Sequence, residues 1–125
     1  MSHQIVWIDI PVLDLDRALR FYSAVLGQTV EKFGEGEFSM GVFPHSSQDV
    51  AGCIYISTDG NAPSMTGPLI YLNADGRLNE AVEAAIAHGG RVLTPVHQIG
   101  PHGFRAIVAD SEGNRIALHS PTQSA

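Results

Sequence analysis

One amphipathic pattern occurs twice along this chain of 125 residues, and the repeat constrains the fold more than any other feature. In DLDRALRFYSAVLG, apolar residues recur at the spacing of a helix with one buried face. LNEAVEAAIAHGG repeats that spacing, so that Leu78 corresponds to Leu15. Asp14 is suited to cap the start of the first helix, and Gly27 is suited to end it. The sequence therefore predicts two similar halves, each built around one helix.

Strand-like runs surround both helices in the same order. QIVWIDIPV precedes the first helix, and TVEKF, EFSMGVF and GCIYIS follow it. PLIYLN precedes the second helix, and RVLTP, FRAIVA and RIALHS follow it. These runs are rich in Val, Ile, Phe and Tyr, and they alternate apolar with polar residues. The sequence thus predicts an α+β fold in a single domain, residues 1–125, with tandem βαβββ units at about 4–57 and 68–121 and a linker at about 58–67.

The composition of the chain limits the kinds of partner and the cellular compartment that we expect. The formal net charge of −6 at pH 7 would repel a phosphate backbone, so no nucleic acid partner is expected. No apolar run approaches the roughly 20 residues that span a bilayer, and no secretion signal is visible. Cys53 is the single cysteine, which excludes an internal disulfide. We expect a cytoplasmic protein without a membrane partner, for which small molecules remain as ligands.

The alternation within the strands predicts which side chains face the helices. The apolar sets should pack under the helices: Val6, Ile8 and Ile10; Ile54 and Ile56; Ile70 and Leu72; Ile116 and Leu118. The alternate residues should face the other way: Trp7, Asp9, Cys53, Tyr55, Tyr71, Asn73, Arg115, Ala117 and His119. This second set is aromatic with a few polar groups, as is usual for a small-molecule pocket. If the sheets instead closed into a filled barrel, the aromatic residues would be core.

IPVLDLDRALRFYSAVLG resembles the opening segment of the vicinal oxygen chelate superfamily, which includes glyoxalase I, extradiol dioxygenases and bleomycin-resistance proteins. GGRVLTPVHQIGPHGFRAIVADSEGNRIALHS resembles its closing segment, whose hairpin carries Asp110, Gly113 and Asn114. The resemblance covers residues 4–121. It implies that the two sheets curl around a shared concave cavity with the helices outside. It also implies a homodimer, with a ligand site within one chain or across two.

The resemblance also bears on metal binding. In metal-dependent members a histidine of the first strand and a glutamate of the last strand bind the ion, and the corresponding residues here are Trp7 and Ala117. Neither an indole nor a methyl group donates an electron pair to a cation. The corresponding position of the second half falls near Pro68 or Leu69. We therefore expect no metal and no other cofactor, unless a divalent ion occupies a displaced site.

Two function classes follow from these residues. In the first, the protein is a metal-independent binding module of the bleomycin-resistance type, and its acidic surface suits a cationic, partly aromatic ligand. The expected ligand contacts are Trp7, Tyr55, Tyr71, Arg115 and His119. In the second, it is a lyase, isomerase or dioxygenase of the glyoxalase type.

The enzyme alternative requires either a displaced metal or an acid–base pair. Asp9 and His119 are the candidates for that pair, and Arg115 or Arg105 would orient an anionic substrate. The histidines show no ligand spacing. Among them, His97 and His102 are expected in a loop.

Overall fold

The computed structural model describes residues 3–123, and two units with the same element order follow each other in that range. The first unit contains β1 (Trp7–Val12), α1 (Leu15–Leu26), β2 (Glu31–Phe33), β3 (Met40–Val42) and β4 (Ala51–Ile56). The second contains β5 (Ile70–Asn73), α2 (Leu78–Ala87), β6 (Arg91–Gln98), β7 (Phe104–Ala109) and β8 (Arg115–Ser120). The predicted order of tandem βαβββ units is confirmed.

Each unit forms its own four-stranded mixed sheet. The strand orders are β1-β4-β3-β2 and β5-β8-β7-β6, so the two sheets are built alike. In each sheet the first strand runs parallel to the last, and the other neighbours are antiparallel. The helices α1 and α2 pack against each other and against the sheets. Neither sheet closes into a barrel, which confirms the predicted α+β fold with curled sheets.

The ends of α1 follow from the two residues that the sequence singles out. The Asp14 carboxylate accepts a hydrogen bond from the backbone amide of Arg17 at 3.1 Å, which satisfies one of the unpaired amides of the first turn. Gly27 ends the helix at φ 67°, a conformation that costs glycine little. Phe21 and Tyr22 between these ends are fully buried, with their rings edge to face at 5.0 Å. The helix thus contributes its apolar face to the core.

The alternation of the strands predicts the core side of both sheets. Ile54, Ile116 and Leu118 are at most 1% exposed, and Leu72 packs against the same core. Val6 is the exception, since 49% of it is exposed. It precedes β1 and therefore lies beyond the part of the sheet that the helices cover.

A hairpin of the second unit holds the start of α1 in the first unit. The Asp110 carboxylate accepts the amides that close the turn between β7 and β8, and Asn114 Nδ2 donates to the Pro11 carbonyl at 2.8 Å. The Glu112 carboxylate accepts two backbone amides that precede α1, each at 2.8 Å, and Nε of Arg17 at 2.7 Å. These bonds join the two units through polar groups that are largely buried.

The second unit differs from the sequence prediction at β6. The strand continues past Pro95 to Gln98, and its pairing with β7 contains two shifts of register. Such irregularities accommodate a proline within a strand. Gly100–His102 then forms a single 3₁₀ turn before β7. No helix among residues 3–123 is both long and apolar enough to cross a membrane.

Candidate functional site

The sheet faces that turn away from the helices, called the inner faces below, carry the aromatic residues of the predicted wall. Trp7 is 44% exposed and Tyr71 is 46% exposed, whereas Ile8 and Leu72 beside them pack against the core. Residues that filled a closed barrel would be buried. The inner faces are therefore not filled like a barrel core: an indole and a phenol are available to a ligand, while Cys53 and Ala117 on the same faces are buried.

On the first sheet, Trp7, Asp9 and Cys53 form one group. The Trp7 indole donates from Nε1 to Oδ1 of Asp9 at 2.6 Å, and the Cys53 thiol donates to the same oxygen at 3.3 Å. Burial, with Asp9 next to it, raises the pKa of the Cys53 thiol to about 12. The indole N–H has no lone pair to offer a divalent ion, and both the indole and the buried thiol donate to the Asp9 carboxylate.

On the second sheet, Tyr71, His97, Arg105 and His119 form a second group, called the Arg105 cluster below. Arg105 donates from Nε to Nε2 of His97 at 3.0 Å and from Nη1 to the Tyr71 hydroxyl. Its guanidinium carbon also lies 5.8 Å from the centre of the Tyr71 ring, within the range of a cation–π contact. The Tyr71 and His119 rings meet edge to face at 6.2 Å.

The hydrogen bonds of the cluster indicate which ring nitrogens of its two histidines donate and which accept. Nδ1 of His97 lies 2.9 Å from the Pro95 carbonyl oxygen, which can only accept, so Nδ1 carries the proton and Nε2 accepts from Arg105. Nε2 of His119 lies 2.6 Å from the His102 carbonyl oxygen and therefore donates to it. The partners of Arg105 are thus uncharged. None of the carboxylates in the described range forms an ion pair with it.

The Arg105 cluster borders an open concavity of about 600 Å³. Its lining consists of Tyr71, Ile99, His102, Arg105 and His119. A second cavity of about 390 Å³ is lined by residues of both units, among them Ile8 and Ile10 of β1, Ile70 and Leu72 of β5, and Leu26 at the end of α1. Arg77 lines that cavity, but its Nη1 donates to the Val25 carbonyl. Of these two cavities, the open concavity combines an aromatic ring, a guanidinium and imidazoles in its lining.

The remaining predicted contacts, Tyr55 and Arg115, are engaged by the segment that joins the units. The Tyr55 hydroxyl accepts a hydrogen bond from Nδ2 of Asn61 at 3.0 Å. Arg115 donates from Nη2 to the Gly67 carbonyl at 3.1 Å, and its buried Nε has no partner among the described residues. Arg115 and Asp9 also line one small cavity of about 180 Å³. Neither Tyr55 nor Arg115 touches the Arg105 cluster through a hydrogen bond.

Asp9 and His119, the predicted acid–base pair, lie in different groups. Asp9 bonds to the indole and thiol of the first sheet, and His119 bonds to the loop before β7. Within residues 3–123, no hydrogen bond or ring contact joins the two groups. The described contacts do not bring the pair together.

The positions that correspond to the metal ligands of the superfamily do not fit a metal. The methyl group of Ala117 is fully buried, and its strand neighbours are Tyr71 on one side and Ile107 on the other. Pro68 and Leu69, near which the sequence places the corresponding position of the second half, precede β5, and Tyr71 is the β5 residue beside Ala117. The indole Nε1 of Trp7 donates its hydrogen bond to the Asp9 carboxylate. Residues 3–123 contain no group of three His, Cys, Asp or Glu side chains suited to a metal ion.

The sequence interpretation missed His97 as part of the site and gave Arg105 only a role in orienting a substrate. The strand prediction ended at Pro95, so His97 was assigned to a loop. In the structure His97 pairs directly with Arg105 across β6 and β7. The apolar residues that continue beyond Pro95, at Val96 and Ile99, were the available sign that the strand extends further.

Comparisons with known proteins agree with this fold. The model of the Glyoxalase/Bleomycin resistance protein/Dioxygenase superfamily matches residues 4–118. A glyoxylase-like domain-containing protein of Didymella fabae is 31% identical over 120 residues, which cover 92% of this chain and 91% of that protein.

Two solved structures are similar in fold at low identity. One is a glyoxalase/bleomycin resistance protein from Albidiferax ferrireducens T118, with a TM-score of 0.77 at 20% identity, covering 94% of this chain and 98% of that one. The other is a glyoxalase-related enzyme from Fulvimarina pelagi, with a TM-score of 0.71 at 19% identity, covering 94% and 88%. At these identities the likeness concerns the fold alone.

Proposed function

The chain belongs to the Glyoxalase/Bleomycin resistance protein/Dioxygenase superfamily, and from this premise we propose that it binds a small, partly aromatic molecule without a resident metal ion. The observation that carries the proposal is the pair of side chains at the ligand positions of the superfamily. Trp7 donates its only N–H to Asp9, and Ala117 offers a buried methyl group. The side chains at these two positions offer a cation neither an imidazole nor a carboxylate, and the neighbouring Asp9 carboxylate already accepts hydrogen bonds from Trp7 and Cys53.

The exposed groups of the inner faces favour binding of a flat organic molecule. Trp7 and Tyr71 expose large apolar rings, and Arg105 and His119 lie beside Tyr71. Rings of this kind supply most of the contact area in small-molecule sites, and a few polar groups fix the orientation of the ligand. This function corresponds to the bleomycin-resistance type of the superfamily. The enzymatic alternative has less support, because Asp9 and His119 lie in separate groups.

Metal analysis together with ligand binding after chelation tests the proposal. Trp7 is the only tryptophan of the chain, so its emission reports directly on the inner face of the first sheet. We expect purified protein to hold no stoichiometric metal. We also expect at least one member of a library of small aromatic acids, amides and amines to change the Trp7 emission in the presence of chelator.

A matched variant, Trp7→Phe, identifies signals that do not come from this site. It keeps a ring at the position and should leave only the background change in emission. One tightly bound transition-metal ion per chain, with ligand binding that disappears on chelation, would overturn the proposal and favour a lyase, isomerase or dioxygenase.

We also propose that two chains associate into a homodimer. The support is the exposure of three consecutive apolar residues, Ile5 and Val6 just before β1 and Trp7 as its first residue. Contiguous exposed apolar residues of this kind commonly mark contact surfaces. The ligand would then lie within one chain or across two.

A further inference from the structure

We propose that the Arg105 cluster binds the carboxylate of a small aromatic acid. This inference rests on the proposed function, because it assigns the charge class of the ligand. It departs from the expectation, drawn from the acidic composition, that the ligand is a cation.

Hydrogen bonds to neighbouring side chains hold the Arg105 guanidinium in one orientation. Its Nε and Nη1 donate to His97 and Tyr71, which fixes the plane of the guanidinium. Both partners are uncharged, and Nη2 has no partner among the described residues. A planar guanidinium with free N–H groups is the side chain best suited to bind a carboxylate. Arg17, which joins the two units, is by contrast neutralised by the Glu112 carboxylate.

The surface next to the guanidinium is concave and partly aromatic. Tyr71 and Ile99 line the same concavity as Arg105, and 46% of Tyr71 is exposed. The concavity of about 600 Å³ is large enough for one aromatic ring with its substituents. His119 bounds the concavity and is kept in place by the His102 carbonyl. A flat acid can therefore lie against the phenol ring while its carboxylate reaches Arg105.

The local charge at Arg105 is opposite in sign to the net charge of the chain. The chain carries a formal charge of −6, which favours cations at long range. At physiological salt, charges farther than about 8 Å are largely screened. Ion pairs in the described range involve Arg17, Lys32 and Arg77, but not Arg105. At contact distance the positive charge of Arg105 is therefore not neutralised by an acidic side chain. This local charge, and not the net charge of the chain, decides that the ligand is an anion.

Three probes of one shape separate charge from hydrophobic contact. Benzoate, benzamide and benzamidine are flat molecules of nearly equal size that carry negative, zero and positive charge. Calorimetric titration of the chelated wild-type protein should show benzoate binding about tenfold more tightly than either of the others, since a hydrogen bond to a charged group is worth at least this factor. The ratio of benzoate to benzamidine affinity is the quantity to follow.

Four variants test the assignment to Arg105. Arg105→Gln should remove the preference for benzoate, and Arg105→Lys should retain only part of it, because lysine keeps the charge and loses the planar fork. Tyr71→Phe keeps the ring but removes the hydroxyl that orients the guanidinium, so it should reduce the preference several-fold. Arg91→Gln removes one exposed positive charge elsewhere on β6 and should leave the ratio of benzoate to benzamidine affinity unchanged.

The charge preference distinguishes a binding role from a structural one. A variant that merely disturbs the fold would weaken all three probes alike and lower the melting temperature, without changing the affinity ratio. If Arg105→Gln keeps the preference, or if benzamidine binds wild type as tightly as benzoate, the Arg105 assignment is wrong.

The two proposals can fail separately. If benzoate does not bind but neutral or cationic library members change the Trp7 emission, the anion site is refuted and metal-independent binding stands. If none of the three probes and no library member binds the protein in the presence of chelator, both proposals are refuted.

Discussion

Cys53 and Glu112 show how the surroundings of a buried ionisable side chain decide its charge. Burial and the neighbouring Asp9 both raise the pKa of the Cys53 thiol, to about 12. Burial also acts to raise the pKa of Glu112, but Arg17 and the backbone amides before α1 outweigh it and lower that pKa to about 2. One group therefore stays neutral and the other stays charged, although the Glu112 side chain has no exposed surface.

We predict that Cys53 is unreactive in the folded protein. A pKa raised from 9.0 to about 12 lowers the thiolate fraction at neutral pH roughly a thousandfold, and the residue is only 3% exposed. Labelling by iodoacetamide should be very slow in native buffer and fast in guanidinium chloride. Fast labelling of folded protein would contradict the described burial and would make the thiol a candidate nucleophile.

Residue orientation was predictable from the sequence, whereas residue partners were not. Alternation alone oriented Trp7, Tyr71 and His119 away from the helices, because a strand buried on one face leaves no other choice. The contact between Arg105 and His97 depends on how β6 pairs with β7. That pairing includes two shifts of register that no local pattern reveals.

At the scale of elements, the hairpin between β7 and β8 is the main polar link between the units. Glu112 accepts hydrogen bonds from the turn before α1, and Asn114 donates to the carbonyl of Pro11 in β1. The sequence identified this hairpin by its Asp110 and Asn114 but did not reveal its partner. Its role across the units arises from residues that are far apart in the chain, so sequence spacing carries no sign of it.

We predict that Glu112 makes folding sensitive to acid. Its pKa in the folded protein, about 2, lies below the ordinary value of 4.5, so its stabilising effect is complete above pH 4.5 and is lost as the pH falls towards 2. Because 44% of the Arg17 side chain is exposed and solvent screens the pair, the loss in the free energy of unfolding should be about 1–2 kcal/mol, less than the full pKa shift would give. Urea unfolding between neutral and acidic pH measures this loss.

Glu112→Gln tests the source of that acid sensitivity. The variant should be less stable at neutral pH and should lack this part of the pH dependence, because an amide cannot replace the charged partner of Arg17. Glu83→Gln, which changes an exposed carboxylate on α2, should keep the wild-type profile. Identical acid profiles for Glu112→Gln and wild type would exclude Glu112 as the cause.

At the scale of the whole molecule, both inner faces remain open in a single chain. The helices and the Glu112 hairpin join the units on the side away from these faces, so the faces keep large exposed rings such as Trp7 and Tyr71. An exposed tryptophan among apolar neighbours is costly to leave in water and is a frequent centre of protein contacts. A second chain would cover this surface.

We therefore predict a dimer in solution, with a mass twice the 13.4 kDa of the chain, by sedimentation equilibrium. Trp7→Lys should weaken the dimer roughly thirtyfold or more, because it places a charge where a central ring is expected. Phe38→Lys is the matched control, since Phe38 is more exposed, at 77%, but lies outside the inner faces, in a 3₁₀ turn before β3. If Phe38→Lys dissociates the dimer and Trp7→Lys does not, the interface lies beside β2 and β3 instead. A wild-type monomer at every concentration would mean that each chain binds its ligand on inner faces open to solvent.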